Sequence, residues 1–173
     1  MHPAIEARLG VLTAGGSPPP VQDPPHPPSE TTATLNRLLR HELAAVEAYE
    51  RADGLFSSTA LRAELRTVQE GHCQRFDTLH ILLVGRHAQP VSGPGVWGVV
   101  VRVAENTASL LGMRMVVATL HELEQRGVSD YRREVAHLDD LTRAQIERDL
   151  VPAQEHALAT ITRLATHRPE DAA

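Results

Sequence analysis

Four stretches of this chain repeat apolar residues at the period of an α-helix, and three of the stripes carry an ionisable side chain at their centre. In the first, Leu35, Leu38, Leu39, Val46 and Tyr49 share a face, with Glu42 in its middle. In the second, Leu61, Leu65, Val68, Phe76, Leu79 and Leu83 surround His72. In the third, Met113, Val117, Leu120, Val128, Tyr131, Val135 and Leu138 surround Glu124. The fourth runs through Ile146, Leu150, Ala153, Ala157, Ile161 and Leu164, and His156 lies on its flank. Stripes of this length must be buried against one another, which predicts an all-α antiparallel four-helix bundle. A carboxylate inside such a stripe is costly unless it is compensated. Two of them leave three solutions open: a bound metal, a protonated carboxyl, or hydrogen bonds from His and Tyr. Glu47, Glu70, Glu122 and Glu155 point to the far sides of their helices and are expected in solvent.

Breakers set the boundaries. The first helix is expected to start near Thr31–Thr34 and stop at Gly54, and the second to run from about Thr59 to Val84 and stop at Gly85. The stretch RHAQPVSGPG interrupts regular structure. A short helix from Val96 to about Leu110 follows, with Trp97 and Gly98 at its start, capping one end of the bundle. The third helix spans about Met113 to His137 and the fourth about Leu141 to Thr166, with Pro152 either kinking the last or marking its true start. Two short hairpin loops and one long crossover form one of the few available four-helix layouts. Ahead of the helices, seven of the 12 prolines fall between Pro18 and Pro28. SPPPVQDPPHPP can form neither a helix nor a strand ladder. The expected organisation is a disordered proline-rich arm over 1–30, a bundle over 31–168 and a tail over 169–173. The arm is a candidate docking peptide for a protein partner.

Composition narrows the classes. Aromatics are only 3% of the chain, so the core must be built from Leu, Val, Ile and Ala, which suits helix packing. The net charge is −5 and no basic stripe with interleaved aromatics appears, which argues against nucleic acid. All 17 basic residues are arginine, a bias most simply read as genomic. The single cysteine, Cys73, excludes an internal disulfide framework and is expected as a small buried hydrophobe. No apolar run reaches the length of a membrane span, and the N-terminus does not read as a signal peptide, so a cytoplasmic protein is the default expectation.

A weak internal repeat links the buried polar residues. Tyr49 follows Glu42 by two helical turns, and Tyr131 follows Glu124 by the same interval. Each return helix then offers a histidine, His72 or His156, so the two halves are expected to meet about a pseudo-twofold axis. His80 and His121 lie near the seam edges and are candidates to join. Met113 and Met115 read as ordinary helix packing.

The stretches HELAAVEAY, QEGH, HELEQRGVSDY and PAQEH resemble the four helices of the ferritin-like superfamily, which includes bacterioferritin and rubrerythrin. LNRLLRHELAAVEAY, GPGVWG and LEQRGVSDY are similar to a bacterial family of ferritin-like domains of unknown function, over about Thr34 to Thr166. The resemblance implies a di-iron site with one Glu from each of two helices and a Glu-x-x-His from each of the others. Carried over, Glu42 and Glu124 take the single-Glu places and His72 and His156 the His places. The remaining two carboxylates are replaced by Gln69 and Ala153, so the resemblance does not extend to a competent di-iron oxidoreductase. What it implies is one transition metal ion, Fe, Zn or Mn, on Glu42, His72, Glu124 and His156, with Tyr49, Tyr131 and Gln69 behind them. A metal-free hydrogen-bond network in a non-catalytic binding or assembly protein is the equal alternative, with its outer faces free for a partner or a second copy. A degenerate redox enzyme is the third.

Overall fold

A computed structural model describes residues 29–93 and 110–166. Serine side chains set the first two helix starts. Ser29 accepts from the backbone N–H of Thr32 at 3.2 Å and opens α1, Glu30–Asp53, ahead of the threonines. Ser58 accepts from Leu61 N–H at 3.3 Å and opens α2, Thr59–Val84. Gly54 and Gly85 end these two helices, as the spacing predicts. The third, α3, spans Leu110–Glu134 and tightens into a 3-10 turn over Val135–His137. Asp139 caps α4, Asp140–Gln145, by accepting from Thr142 N–H at 3.0 Å.

The chain then widens into a π turn over Ile146–Leu150 and continues as α5, Val151–Thr166. Pro152 explains the widening. It has no N–H to donate, and in a regular α-helix its ring would press on the carbonyl of Arg148. One π turn relieves that clash without ending the helix, so the expected fourth helix is one rod in three parts.

The described residues are all-helical, with four long helical segments. The short connection at 54–58 folds α2 back along α1, and α5 packs along α3. Contacts of α1 with α3, and of α2 with α5, join the two pairs. The core divides into two apolar blocks. One holds Leu35, Leu39, Phe76, Leu83, Tyr131 and Ile146; the other holds Tyr49, Phe56, Leu65, Leu120, Ala157 and Ile161. His72, Glu124 and Gln154 lie in sequence between the residues each helix gives to the two blocks. The buried polar layer therefore separates them. The expected crossover helix with Trp97 and Gly98, residues 1–28 of the expected arm and the expected tail over 169–173 lie outside the described residues, while Ser29 and Glu30, the end of the expected arm, cap and open α1. No described helix is long and apolar enough to cross a membrane.

Candidate functional site in the helix seam

Glu42 on α1, His72 on α2 and Glu124 on α3 meet in the seam, all fully buried. His72 Nδ1 stands 2.8 Å from Glu42 Oε2, and His72 Nε2 stands 2.9 Å from Glu124 Oε1. The imidazole thus bridges the two carboxylates. The tyrosines cross over: Tyr49, from the helix of Glu42, donates to Glu124 Oε1 at 2.7 Å, and Tyr131, from the helix of Glu124, donates to Glu42 Oε1 at 2.7 Å. Two helical turns separate each Glu from its own Tyr, so each hydroxyl reaches the carboxylate on the facing helix.

Two members of the cluster were not singled out from the sequence. Arg75 is 3% exposed, and its Nε lies 3.2 Å from both oxygens of Glu42 while its Nη2 lies 2.7 Å from His72 Nδ1. The signal was available: Arg75 follows His72 by three residues and shares its helix face. Gln154 on α5 donates from Nε2 to Glu124 Oε2 at 2.7 Å. It follows Glu124 by 30 residues, the separation of Glu42 from His72, so the residue corresponding to His72 is Gln154.

His156 does not reach the seam. It is two residues beyond Gln154, which rotates it to the outer face of α5, where it is exposed. Gln69 is also outside the cluster; its Nε2 donates to the backbone carbonyl of Val46 at 3.2 Å. Ala153 is half-buried. His80 is buried but stacks on Phe76 at a ring separation of 5.8 Å, and His121 bonds to Thr162 at 3.1 Å. Cys73 is buried, and Met115 is exposed instead of packed. Glu122 and Glu155 lie on outer faces paired with Arg126 and Arg132.

His41 is a third polar residue that the stripes did not reveal. It is 5% exposed, lies 6.4 Å from the His72 ring, and has no hydrogen-bond partner for Nε2 among the described residues. Gly127 on α3 makes room for it. A Cβ there would collide with Gln154 Nε2 and stand 2.5 Å from His41 Nε2.

Four ionisable groups set the charge of the cluster. Burial by itself would raise the pKa of Glu42, but the Arg75 and His72 charges outweigh it and hold the carboxyl far below its usual range. Burial likewise opposes ionisation of Glu124, and His72 and the Tyr49 hydroxyl reverse the sign. For His72, burial disfavours the imidazolium, Glu124 and Glu42 favour it, Arg75 opposes it, and the net shift is upward. Arg75 is held charged by Glu42 against the pull of burial. Two carboxylates and one guanidinium leave one negative charge, which a proton on His72 would cancel. His41 goes the other way: burial dominates and lowers its pKa.

The donor set does not suit a metal ion. All four carboxylate oxygens already accept hydrogen bonds, from Tyr131, Arg75, His72, Tyr49 and Gln154. A guanidinium stands beside the imidazole nitrogen and the Glu42 carboxylate that a metal would need. Among the described residues no three His, Cys, Asp or Glu side chains form a metal-holding group. Compared with protein-family models, characterised proteins and solved structures, the chain matches none.

Proposed function

We propose that this is a ferritin-like helical protein whose seam is a metal-free, charge-balanced network, and that it acts by binding and not by chemistry at the seam. The observation that carries the reading is Arg75. Its guanidinium supplies, from within the chain, one of the two positive charges that the two carboxylates require. Removing a buried charge partner is costly, so an arginine here relieves the need for an external cation. The pairing of α1 with α2 and of α3 with α5 supports the ferritin-like connectivity. So does the exchange of tyrosine hydroxyls between Glu42 and Glu124.

The test is titration of the full chain with Co(II), read by its visible ligand-field absorption and by metal content after desalting. The expected result is no stoichiometric uptake by the wild type. The double variant Arg75→Ala, Gln154→His removes the resident cation and adds a second imidazole, and it should bind one equivalent. Wild-type uptake of one Co(II) that disappears in His72→Gln would overturn the proposal.

A further inference from the structure

A cavity of about 180 Å³ opens beside the seam between α1 and α3, lined by Arg37, Leu38, Arg40, His41, Asp130, Arg133 and Glu134. Its three arginines outnumber its two carboxylates. The carboxylates are already committed. Glu134 Oε2 lies 2.6 Å from Arg37 Nη2, Glu134 Oε1 lies 3.2 Å from Arg133 Nη2, and Asp130 takes the same Arg133 nitrogen at 2.6 Å. These pairs orient two partly exposed guanidinium groups, and the Nη1 groups of both make no hydrogen bond among the described residues. Arg40 makes no ion pair or hydrogen bond among the described residues. The wall also includes His41, which is more than nine-tenths buried and turns its Nε2 toward Gly127 and the Gln154 side chain.

We infer that this cavity is a binding site for a compact phosphate group, with Arg40 as the main charge contact and Arg37 and Arg133 as pre-positioned N–H donors. Planar guanidinium groups recognise phosphate oxygens through paired N–H donors, and ordering two of them in advance lowers the cost of binding. Asp130 and Glu134 act as positioning residues. An anion approaching them meets carboxylates already neutralised by Arg37 and Arg133, while Arg40 is committed to neither. The inference deepens the binding role proposed above and is independent of the metal-free seam.

The experiment is titration of the full chain with inorganic phosphate, with glycerol 3-phosphate and with acetate, followed by amide and histidine NMR shifts at fixed ionic strength. The expected result is saturable binding of the phosphates centred on residues 37–41 and 130–134, with acetate much weaker. Tighter binding of glycerol 3-phosphate than of inorganic phosphate would identify a phosphomonoester as the ligand class; equal binding would identify the free ion. Arg40→Gln should weaken binding about tenfold, and Arg40→Lys should retain most of it. Arg40 is half-exposed on a helix, so both variants should keep the wild-type fold by circular dichroism. Shifts that fail to saturate, or that match in wild type and Arg40→Gln, would overturn the inference. If phosphate fails to bind while Co(II) is also refused, the cavity loses its assignment and the seam reading stands.

Discussion

The two helix pairs bring the same carboxylate and the same tyrosine to the seam, and then differ. The α1–α2 pair adds an imidazole and a guanidinium, His72 and Arg75, both against Glu42. The α3–α5 pair adds a neutral amide, Gln154 against Glu124, and a glycine, Gly127, that leaves room for His41 from the other pair. One half carries all of the positive charge of the cluster and the other supplies space and neutral donors. A pseudo-symmetric site can therefore stay balanced without being symmetric, provided the imidazole of one half reaches the carboxylate of the other, as His72 Nε2 reaches Glu124.

The sharpest way to break this asymmetry is to remove its charge. Arg75→Met would leave two buried carboxylates facing a single imidazole. The expected loss is about 3–5 kcal/mol in urea unfolding, because an uncompensated buried charge remains. Gln154→Leu removes only a neutral donor from Glu124 and should cost about 1–3 kcal/mol. Equal losses at the two positions would show that the halves are not electrostatically distinct.

The tyrosines test the symmetric part. Tyr49→Phe and Tyr131→Phe each delete one hydroxyl that donates to a buried carboxylate, and each should cost about 1.5–3 kcal/mol. The two losses should be similar, since both bonds are 2.7 Å long and buried. A loss confined to one of them would mean that the other carboxylate is held by its remaining partners alone.

Glycines separate the halves by packing. Gly127→Ala drives a methyl group into His41 and Gln154 and should destabilise by about 1–3 kcal/mol. Gly71→Ala on α2 meets only the Nη1 atom of Arg75 at 3.5 Å, an ordinary contact. There the gain in helix propensity should prevail and raise stability by up to about 1 kcal/mol. Thermal unfolding of the two variants checks both signs.

The smallest effect is the pH dependence of the two buried histidines. The pKa of His72 is raised above 6.5, so its contribution is complete below 6.5 and is lost as pH rises through the folded value. The pKa of His41 is lowered, so its contribution is complete above 6.5 and is lost as pH falls through the folded value. Denaturation midpoints across pH should show the alkaline decline disappearing in His72→Gln and the corresponding acid decline disappearing in His41→Gln. A decline that survives both substitutions would assign it to other groups.

The sequence by itself determined the helices and much of their pairing. Period and breakers located Gly54, Gly85 and the start of α2, and the stripe centres identified Glu42, His72 and Glu124 as buried polar residues. These features are local: a helix face is set by residue spacing, and the cost of burying a carboxylate depends on its neighbours along the stripe. Only the tertiary structure decided what compensates those carboxylates. The sequence places Arg75 on the His72 face but not the turn of its guanidinium toward Glu42 on another helix. The sequence reading pairs Glu124 with His156, 32 residues on, whereas the 30-residue interval from Glu42 to His72, repeated from Glu124, falls on Gln154. The notch at Gly127 and the burial of His41 depend on how closely α1 approaches α3, a distance between helices that no spacing within a single helix encodes.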